Sequence, residues 1–221
     1  VQGVDTHGLL QQLGEDGAFG CWTYQYPGHV PISRDLLESV NEICFLERQL
    51  GLSSMEKLSV LDIGAGYGRL AHRMSQAFPG LSDYCCVDAI AESTFLSRYY
   101  LSYRECVPPA RVVRFDDLER ELKPGDFDLA VNIHSFSECP LSAIAGWVEE
   151  LRRLRVPRLL VIPNEPTEFL SMESDWSRRD FLPLLEAAGY RLTHSEPVIQ
   201  DPAVRELLGL EDHFHLFTHG G

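Results

Sequence analysis

The chain alternates short apolar runs with segments in which apolar residues recur every three or four positions. A short apolar run such as 58–63 is typical of a strand buried on both faces, whereas the longer spacing is typical of an amphipathic helix. From residue 58 onward the two patterns take turns. Strands are predicted at 58–63, 84–88, 111–115, 127–133, 158–162, 190–196 and 213–218, and helices at 67–78, 91–103, 141–154, 177–188 and 202–208.

Strands that alternate with helices predict an α/β fold, in which helices cover both faces of a mostly parallel sheet. Residues 1–30 are rich in glycine and aromatic side chains and have no clear period. Residues 33–50 have helical spacing, with Ser33 as the expected N-cap and Gly51 as the stop. We therefore predict an N-terminal arm and lid helix over residues 1–57, followed by a sheet domain over 58–221, together one globular unit.

The composition excludes several classes of partner. The 221 residues carry 33 acidic and 19 Lys or Arg side chains, a net charge of −14. Such a charge repels the phosphate backbone that supplies most nucleic-acid affinity, and it repels anionic membranes as well. The longest apolar stretches are far shorter than the roughly 20 residues needed to span a bilayer. We expect neither nucleic acid nor membrane as a partner.

The six cysteines show no Cys-x-x-Cys spacing, and several lie in apolar surroundings. This pattern favours buried free thiols over a disulfide framework or a zinc site. The first eight residues also lack the charged and apolar regions of a signal peptide. Together these features predict a cytoplasmic protein.

The most informative segment is the glycine turn after the first predicted strand, where residues 61–68 read LDIGAGYG. In open α/β sheets a ligand binds at such a turn, close to the free N–H groups at the start of the next helix. A dinucleotide fingerprint would place its third glycine at position 69, which is an arginine here. The observed G-x-G-x-G, with Asp62 two positions before its first glycine, is a different pattern.

Two further strand ends carry carboxylates. Asp88 ends the second strand and can accept hydrogen bonds from both hydroxyls of a ribose. The third strand ends at Asp116 and Asp117, within reach of an adenine amino group on a neighbouring strand end. Three strand ends therefore predict one adenosine site. The alternatives are a structural glycine turn with an incidental aspartate, and a nicotinamide-dependent oxidoreductase.

This combination resembles the class I S-adenosylmethionine-dependent methyltransferases over residues 58–218. The resemblance implies a Rossmann-like seven-stranded sheet whose last strand is antiparallel, and S-adenosylmethionine as cofactor. It implies that the glycines line the methionine and ribose, that Asp62 helps to hold the amino-acid end through water or the loop, that Asp88 binds the ribose and that Asp116 faces adenine. The implied cofactor residues are Asp62, Gly64, Ala65, Gly66, Gly68, Asp88, Ala89, Asp116, Asp117 and Asn132.

The acceptor of the methyl group is expected above the ends of strands four and five. Methyl transfer depends on proximity and orientation, and an alcohol acceptor also needs a base for its proton. His134 lies at the expected strand end, and neutral imidazole has a suitable pKa, so it is the base candidate. Glu138 and Glu165 are the other catalytic candidates. The alternative for His134 is a structural hydrogen bond that orients the cofactor or Glu138.

The acidic residues Glu138, Glu165 and Glu168 follow the same two strands. They are expected either to cluster with His134 and orient it, or to hold Mg²⁺ with Glu138 and Glu165 as candidate ligands; the alternative is a solvated acidic rim. Two histidines of the last strand share one face because they are two residues apart, and we assign them no chemistry beyond the core or a subunit contact. They are His213 and His215.

The wider sequence at 66–69, 88–101 and 132–138 resembles the sugar O-methyltransferases of bacteria. This implies a hydroxyl of a small carbohydrate as acceptor, such as a methylated manno-oligosaccharide, although His134 replaces the small polar residue expected there. Carboxylates at the strand ends suit a polyhydroxylated acceptor and disfavour a phosphorylated one. The alternatives are a polyketide or phenolic hydroxyl, or a cofactor-binding module without activity.

The aromatic residues of the arm are the remaining candidates for substrate contacts. Trp22, Tyr24 and Tyr26 alternate along the chain and predict either an aromatic platform for a sugar or cofactor, or a hydrophobic strap on the sheet. Tyr24, Tyr26 and Tyr67 are the substrate candidates. We expect a homodimer, because it is the commonest assembly.

Overall fold

The computed structural model describes residues 1–220 and contains nine strands and eight α-helices within that range. The strands are β1 Thr23–Tyr24, β2 Ile32–Ser33, β3 Leu58–Ile63, β4 Leu81–Asp88, β5 Ala110–Arg114, β6 Leu129–Ile133, β7 Arg158–Ile162, β8 Tyr190–Pro197 and β9 His213–His219. The helices are α1 Leu9–Gln12, α2 Arg34–Leu50, α3 Arg69–Ala77, α4 Ala91–Tyr103, α5 Leu118–Glu121, α6 Leu141–Leu154, α7 Leu182–Ala187 and α8 Pro202–Leu208.

Seven strands form the central sheet in the order β5-β4-β3-β6-β7-β9-β8. The first five are parallel, and β9 runs antiparallel to both of its neighbours. The predicted fold class is therefore confirmed, including the antiparallel last strand. The strand order reverses between β3 and β6, and ligands of open α/β sheets bind in the crevice at such a point. The carboxyl ends of β3 and β6 thus define where a site is expected.

Successive residues of each strand enter opposite layers of the core, as the two-residue period requires. Val60 belongs to a buried cluster with side chains of α2, α3 and α4. Its neighbour Leu61 belongs to a second cluster, with side chains of α6 and α7. The near-continuous apolar strands are explained by this burial on both faces.

Helix α7 differs from its prediction, because it covers Leu182–Ala187 rather than 177–188. The preceding residues pair with an extended segment instead: the N–H of Ser171 donates to the carbonyl of Arg179 at 2.8 Å, and that of Phe181 to the carbonyl of Phe169 at 2.7 Å. The helical period in the sequence did not reveal this pairing. The partner segment around residues 169–171 is short and has no alternation of apolar and polar residues.

The arm has two parts with different environments. Leu10 and Leu13 are buried in the core, and the carboxylate of Glu15 forms a buried ion pair with Arg73 of α3 at 2.9 Å. Further along, Trp22 is 81% exposed, and Tyr24 and Tyr26 are half exposed. The first part therefore packs against α2 and α3, whereas the aromatic segment, predicted as either a platform or a strap, is open to solvent.

All six cysteines are free thiols, as predicted. Burial raises the pKa of Cys44 to about 11 and that of Cys85 to about 12, so both stay protonated. They act as small apolar core residues. Among residues 1–220, no helix combines the length and the apolar character that a membrane crossing requires.

Candidate cofactor and acceptor site

The glycine turn packs directly on the loop that follows β6. Gly64 has φ +76°, and its N–H donates to the carbonyl of Val87 at 2.9 Å. A Cβ at this position would lie 2.3 Å from the Cβ and Oγ of Ser135. Only glycine therefore allows the two loops to meet, and their contact lies at the reversal of the strand order.

Gly66 faces open space, since a Cβ added there would meet no atom within 4 Å. Its N–H donates to one carboxylate oxygen of Asp88 at 3.2 Å, and the other oxygen accepts from the N–H of Ile90 at 2.8 Å. Asp88 is thus held at the end of β4 beside an open backbone surface. Each oxygen keeps a lone pair for a ligand hydroxyl, so the carboxylate fits the predicted ribose role.

Asn132 and Asp62 support the turn from within the sheet. The amide of Asn132 donates to the carbonyl of Ile63 at 2.8 Å and accepts from the N–H of Phe136 at 2.9 Å. Asp62 is buried, and its carboxylate accepts from the hydroxyl of Tyr84 at 2.9 Å. Burial raises the pKa of Asp62 to about 7, against the opposing effect of the Tyr84 hydrogen bond. Both side chains are engaged with protein groups beneath the turn.

The end of β5 leaves one carboxylate free. Asp117 is buried and accepts from the guanidinium of Arg114 at 2.7 Å, and it also pairs with Arg120. Asp116 is exposed beside the half-exposed ring of Phe115. Of the two carboxylates predicted for adenine, Asp116 is therefore the one open to a ligand. The two predicted alanines, Ala65 in the turn and Ala89 after β4, are half buried and exposed respectively.

His134 begins the loop after β6 with a strained backbone. Its φ of 63° and ψ of −30° lie outside the usual left-handed region, a conformation that costs about 1–3 kcal/mol and is typical of functional sites. The conformation is maintained by its N–H, which donates to the carbonyl of Ile162 at 2.7 Å. Within residues 1–220 the buried ring nitrogen Nδ1 has no hydrogen-bond partner.

The acidic residues predicted around His134 do not assemble there. Glu165 forms an ion pair with Arg178, and Glu138 and Glu168 are exposed. In the described chain, residues 1–220, no three His, Cys, Asp or Glu side chains come together in a way that could hold a metal ion. The expected cluster does not form: Glu165 is paired with Arg178, and the carboxylates of Glu138 and Glu168 face solvent.

Two cavities adjoin the site and share Tyr24 and Arg34 in their walls. The smaller, of about 500 Å³, reaches Tyr67 in the glycine turn. The larger, of about 1070 Å³, reaches His134 and Ile162 at the ends of β6 and β7. One cavity therefore opens beside the glycine turn and the other beside the candidate base. All three tyrosines proposed for substrate contacts line one or both cavities; they are Tyr24, Tyr26 and Tyr67.

Asp212 lines the larger cavity and was missed by the sequence analysis. Burial raises its pKa, and the nearby His134 opposes that effect. Asp212 immediately precedes β9, and an antiparallel strand begins at the edge where the parallel strands end. The predicted direction of the last strand was therefore the signal that could have placed this carboxylate at the site.

Contacts between α2 and the glycine turn were also missed. The hydroxyl of Tyr67 donates to Asp35, and the guanidinium of Arg69 pairs with Glu42 at 2.9 Å. Burial and the Asp35 carboxylate raise the pKa of Tyr67. The predicted lid helix is thus attached to the turn itself, through residues whose spacing in the sequence carries no sign of it.

The histidines of β9 lie on one face, as predicted, with ring centroids 6.0 Å apart. His215 is buried against Phe169 and its Nε2 lies 3.2 Å from the carbonyl of Pro166. Burial lowers the pKa of His215 to about 4, so the ring is neutral near pH 7. This side chain is part of the core.

The sequence matches no protein-family model and no curated protein. The structure is similar to an S-adenosylmethionine-dependent methyltransferase from Mesorhizobium loti, with a TM-score of 0.58 and 13% identity over 83% of this chain and 100% of that one. It is similar to geranyl diphosphate methyltransferase in complex with S-adenosylmethionine, with a TM-score of 0.57 and 13% identity over 83% and 85% of the two chains.

A third similar structure is that of the cyclase SpnF, with a TM-score of 0.61 and 15% identity over 90% of this chain and 87% of that one. At these identities the likeness concerns the fold alone. The chain has the fold of the S-adenosylmethionine-dependent class I methyltransferases.

Proposed function

We propose that this protein is an S-adenosylmethionine-dependent O-methyltransferase that acts on a hydroxyl of a small carbohydrate. The observation that carries the proposal is the position of His134. It begins a loop that packs on the glycine turn through Ser135, and it lines a cavity large enough for an acceptor. A candidate base therefore lies between a candidate cofactor surface and a candidate acceptor site.

The residues present fit the cofactor. The open space at Gly66 allows a ligand to approach the backbone closely, and Asp88 beside it can accept from ribose hydroxyls. Asp116 remains available to an adenine amino group. Near Tyr67, the smaller cavity provides room for the methionine end. When bound, S-adenosylmethionine supplies a methyl group that its sulfonium already activates.

With the cofactor bound, His134 would accept the proton of the acceptor hydroxyl while the methyl group passes from the sulfonium sulfur to the hydroxyl oxygen. A neutral imidazole is suited to this because its pKa lies near the working pH. Its buried Nδ1 has no partner among residues 1–220, and Asp212 lines the same cavity, where its negative charge would favour the imidazolium that results. Positioning supplies the rest of the rate enhancement.

A carbohydrate acceptor is supported by the sequence resemblance and by the aromatic faces of Tyr24 and Tyr26 at the larger cavity. We extend the proposal to a methylated manno-oligosaccharide on the resemblance alone. The second candidate is a polyketide or phenolic hydroxyl, which the many apolar residues in the same cavity favour. A cofactor-binding module without transferase activity, a homodimer, a cytoplasmic location and assistance by Mg²⁺ also stay as predictions to be tested.

The test is incubation with S-adenosylmethionine labelled in its methyl group, together with panels of saccharides, phenols and polyketides. Label in a saccharide supports the proposal, and label only in the other panels supports the second candidate. Cofactor binding without transfer to any panel contradicts an enzymatic role. A parallel reaction in chelator, with Mg²⁺ added back, tests metal assistance: activity that is lost and then restored supports it, and unchanged activity contradicts it.

A further inference from the structure

The larger cavity has many polar groups in its walls, but most are already satisfied by the protein. On α2, Glu42 is paired with Arg69, Glu38 with Arg34, and the amide of Asn41 donates to a backbone carbonyl just after β8. Each of these side chains therefore already has a protein partner.

The opposite side of the cavity is satisfied in the same way. Asp201 caps the first turn of α8, and the amide of Gln200 donates to the carbonyl of Pro197 at 2.8 Å. The ring of His29 lies 3.2 Å from the amide of Gln11. These three polar side chains therefore also have protein partners.

Two polar groups without a partner in the described part of the chain lie together at one end of the site. His134 has its unpartnered Nδ1, and the carboxylate of Asp212 has no hydrogen bond or ion pair with any side chain in residues 1–220. The cavity therefore has one polar end, beside the ends of β6 and β7.

Much of the remaining lining is apolar, and one continuous part of it comes from the segment 198–210. This segment contributes Val198, Ile199, Val204, Leu208 and Leu210, which we call the apolar wall. Leu208 is 55% exposed although it lines the cavity. Covering such an exposed apolar side chain with a ligand is favourable, because it removes apolar surface from water. The volume of about 1070 Å³ is at the upper end for small-molecule sites, so a single sugar ring leaves much of the wall uncovered.

We infer that the acceptor is an amphiphile, with a hydroxyl-bearing polar end at His134 and Asp212 and an apolar chain or ring system against the apolar wall. This inference rests on the proposed function for the identity of the site, and it narrows the acceptor class. A carbohydrate that carries an alkyl, acyl or aromatic group satisfies both halves of the cavity. Burial of each methylene of such a group is expected to raise the affinity about fourfold.

The test is a titration with n-alkyl glucosides from methyl to octyl, below their critical micelle concentrations, followed by calorimetry. The expected result is a dissociation constant that falls about fourfold for each added methylene until the wall is covered. Equal affinity for methyl and octyl glucoside overturns the inference.

Helix α8 offers a matched pair of variants. Leu208→Asp places a charge on the apolar wall, whereas Leu207→Asp changes an adjacent leucine that is 82% exposed and lies outside the cavity. None of the α8 residues is buried, so both variants should fold, and Val204→Asp is a second variant of the wall. Loss of the chain-length dependence in L208D and V204D but not in L207D supports the inference. Equal loss in all three, or in none, overturns it.

Calorimetry measures binding and the transfer of labelled methyl measures catalysis, so the two proposals can fail independently. If affinity depends on chain length but no labelled methyl group is transferred, the result supports the amphiphile site and contradicts the proposed function. Transfer to a hydroxyl at a rate and affinity that do not depend on the tail supports the proposed function and overturns the amphiphile inference.

Discussion

The cofactor edge and the larger cavity are built in opposite ways. The cofactor edge comes mainly from residues 62–68 and Asp88, and its decisive features are backbone N–H groups and the absence of a side chain at two glycines. The larger cavity takes its walls from the arm, α2, two strand ends and the segment 198–212. Substitutions in a site built from backbone groups disturb the fold itself. In a site built from side chains of distant segments, substitutions can alter ligand specificity while the fold stays the same.

The largest effect is expected from His134→Asn, which tests whether the two regions meet at a base. Asparagine tolerates a positive φ, so the strained backbone should survive. Turnover at saturating acceptor should fall about 10²–10⁴-fold, with unchanged cofactor affinity. Steady-state kinetics and calorimetry with S-adenosylmethionine measure the two quantities, and His213→Asn is the control. Unchanged turnover would show that His134 only shapes the loop.

The glycine turn should be the most sensitive part of the cofactor edge. In Gly64→Ala the new Cβ collides with Ser135 and the residue keeps a positive φ, so the free energy of unfolding should fall by about 2–5 kcal/mol. Gly66→Ala also keeps a positive φ but has open space, so it should lose only about 1–2 kcal/mol of stability and should mainly weaken cofactor binding. Urea unfolding and calorimetry compare the pair. Equal stability of the two variants would contradict the contact between the loops.

Asp62 gives the cofactor edge a pH dependence. The carboxyl ionises near 3.8 in the unfolded chain and near 7 in the folded protein, so only the unfolded chain releases the proton between these values. The free energy of unfolding should therefore fall as pH rises from about 4 to about 7. Relative to Asp62→Asn, wild type should lose about 2–3 kcal/mol between pH 5 and pH 8 without cofactor. Parallel pH profiles of the two proteins in urea unfolding would disprove this.

Asp88 and Asp83 lie at opposite ends of β4 and form a matched pair. Asp88→Asn should weaken S-adenosylmethionine binding about 10–100-fold, because a charged acceptor for the ribose is lost. Asp83→Asn, at the end where the carboxylate pairs with Arg111 at 2.8 Å, should leave the affinity unchanged. Calorimetry measures both. A similar loss in the two variants would mean that the effect comes from the strand and not from the site.

The smallest effect is expected in the arm, where Tyr24→Leu and Tyr26→Leu should raise the KM for the acceptor about 2–10-fold. Both rings are half exposed, so stability should hardly change. Leu13→Ala, in the buried part of the arm, is the contrasting variant and should lower the free energy of unfolding by about 2–5 kcal/mol. A KM unchanged in both tyrosine variants would remove the arm from the acceptor site.

The hydrophobic pattern predicted the fold class and the glycine turn after β3, because these depend on local periodicity and on backbone geometry. The antiparallel direction of the last strand was predicted only by the family resemblance. It did not predict that Asp117 is held by two arginines or that Glu165 pairs with Arg178. Which carboxylates stay free depends on where arginines from other elements end up. Both arginines that pair with Asp117 are three residues from it, whereas Glu165 and Arg178 are 13 residues apart, a separation from which no contact can be inferred.

The sequence alone determined where a cofactor is expected, since strand, glycine turn, helix and the next strand end lie within about 30 residues and follow from short-range rules. Only the tertiary structure decided what the acceptor meets. Asp212 and the apolar wall face residues of the arm across most of the chain, and the contact of α2 with the glycine turn joins Asp35 and Tyr67, which are 32 positions apart. The physical reason is that local backbone conformation depends on neighbours in the sequence. The polarity of a cavity depends instead on which of its side chains form hydrogen bonds or ion pairs with each other.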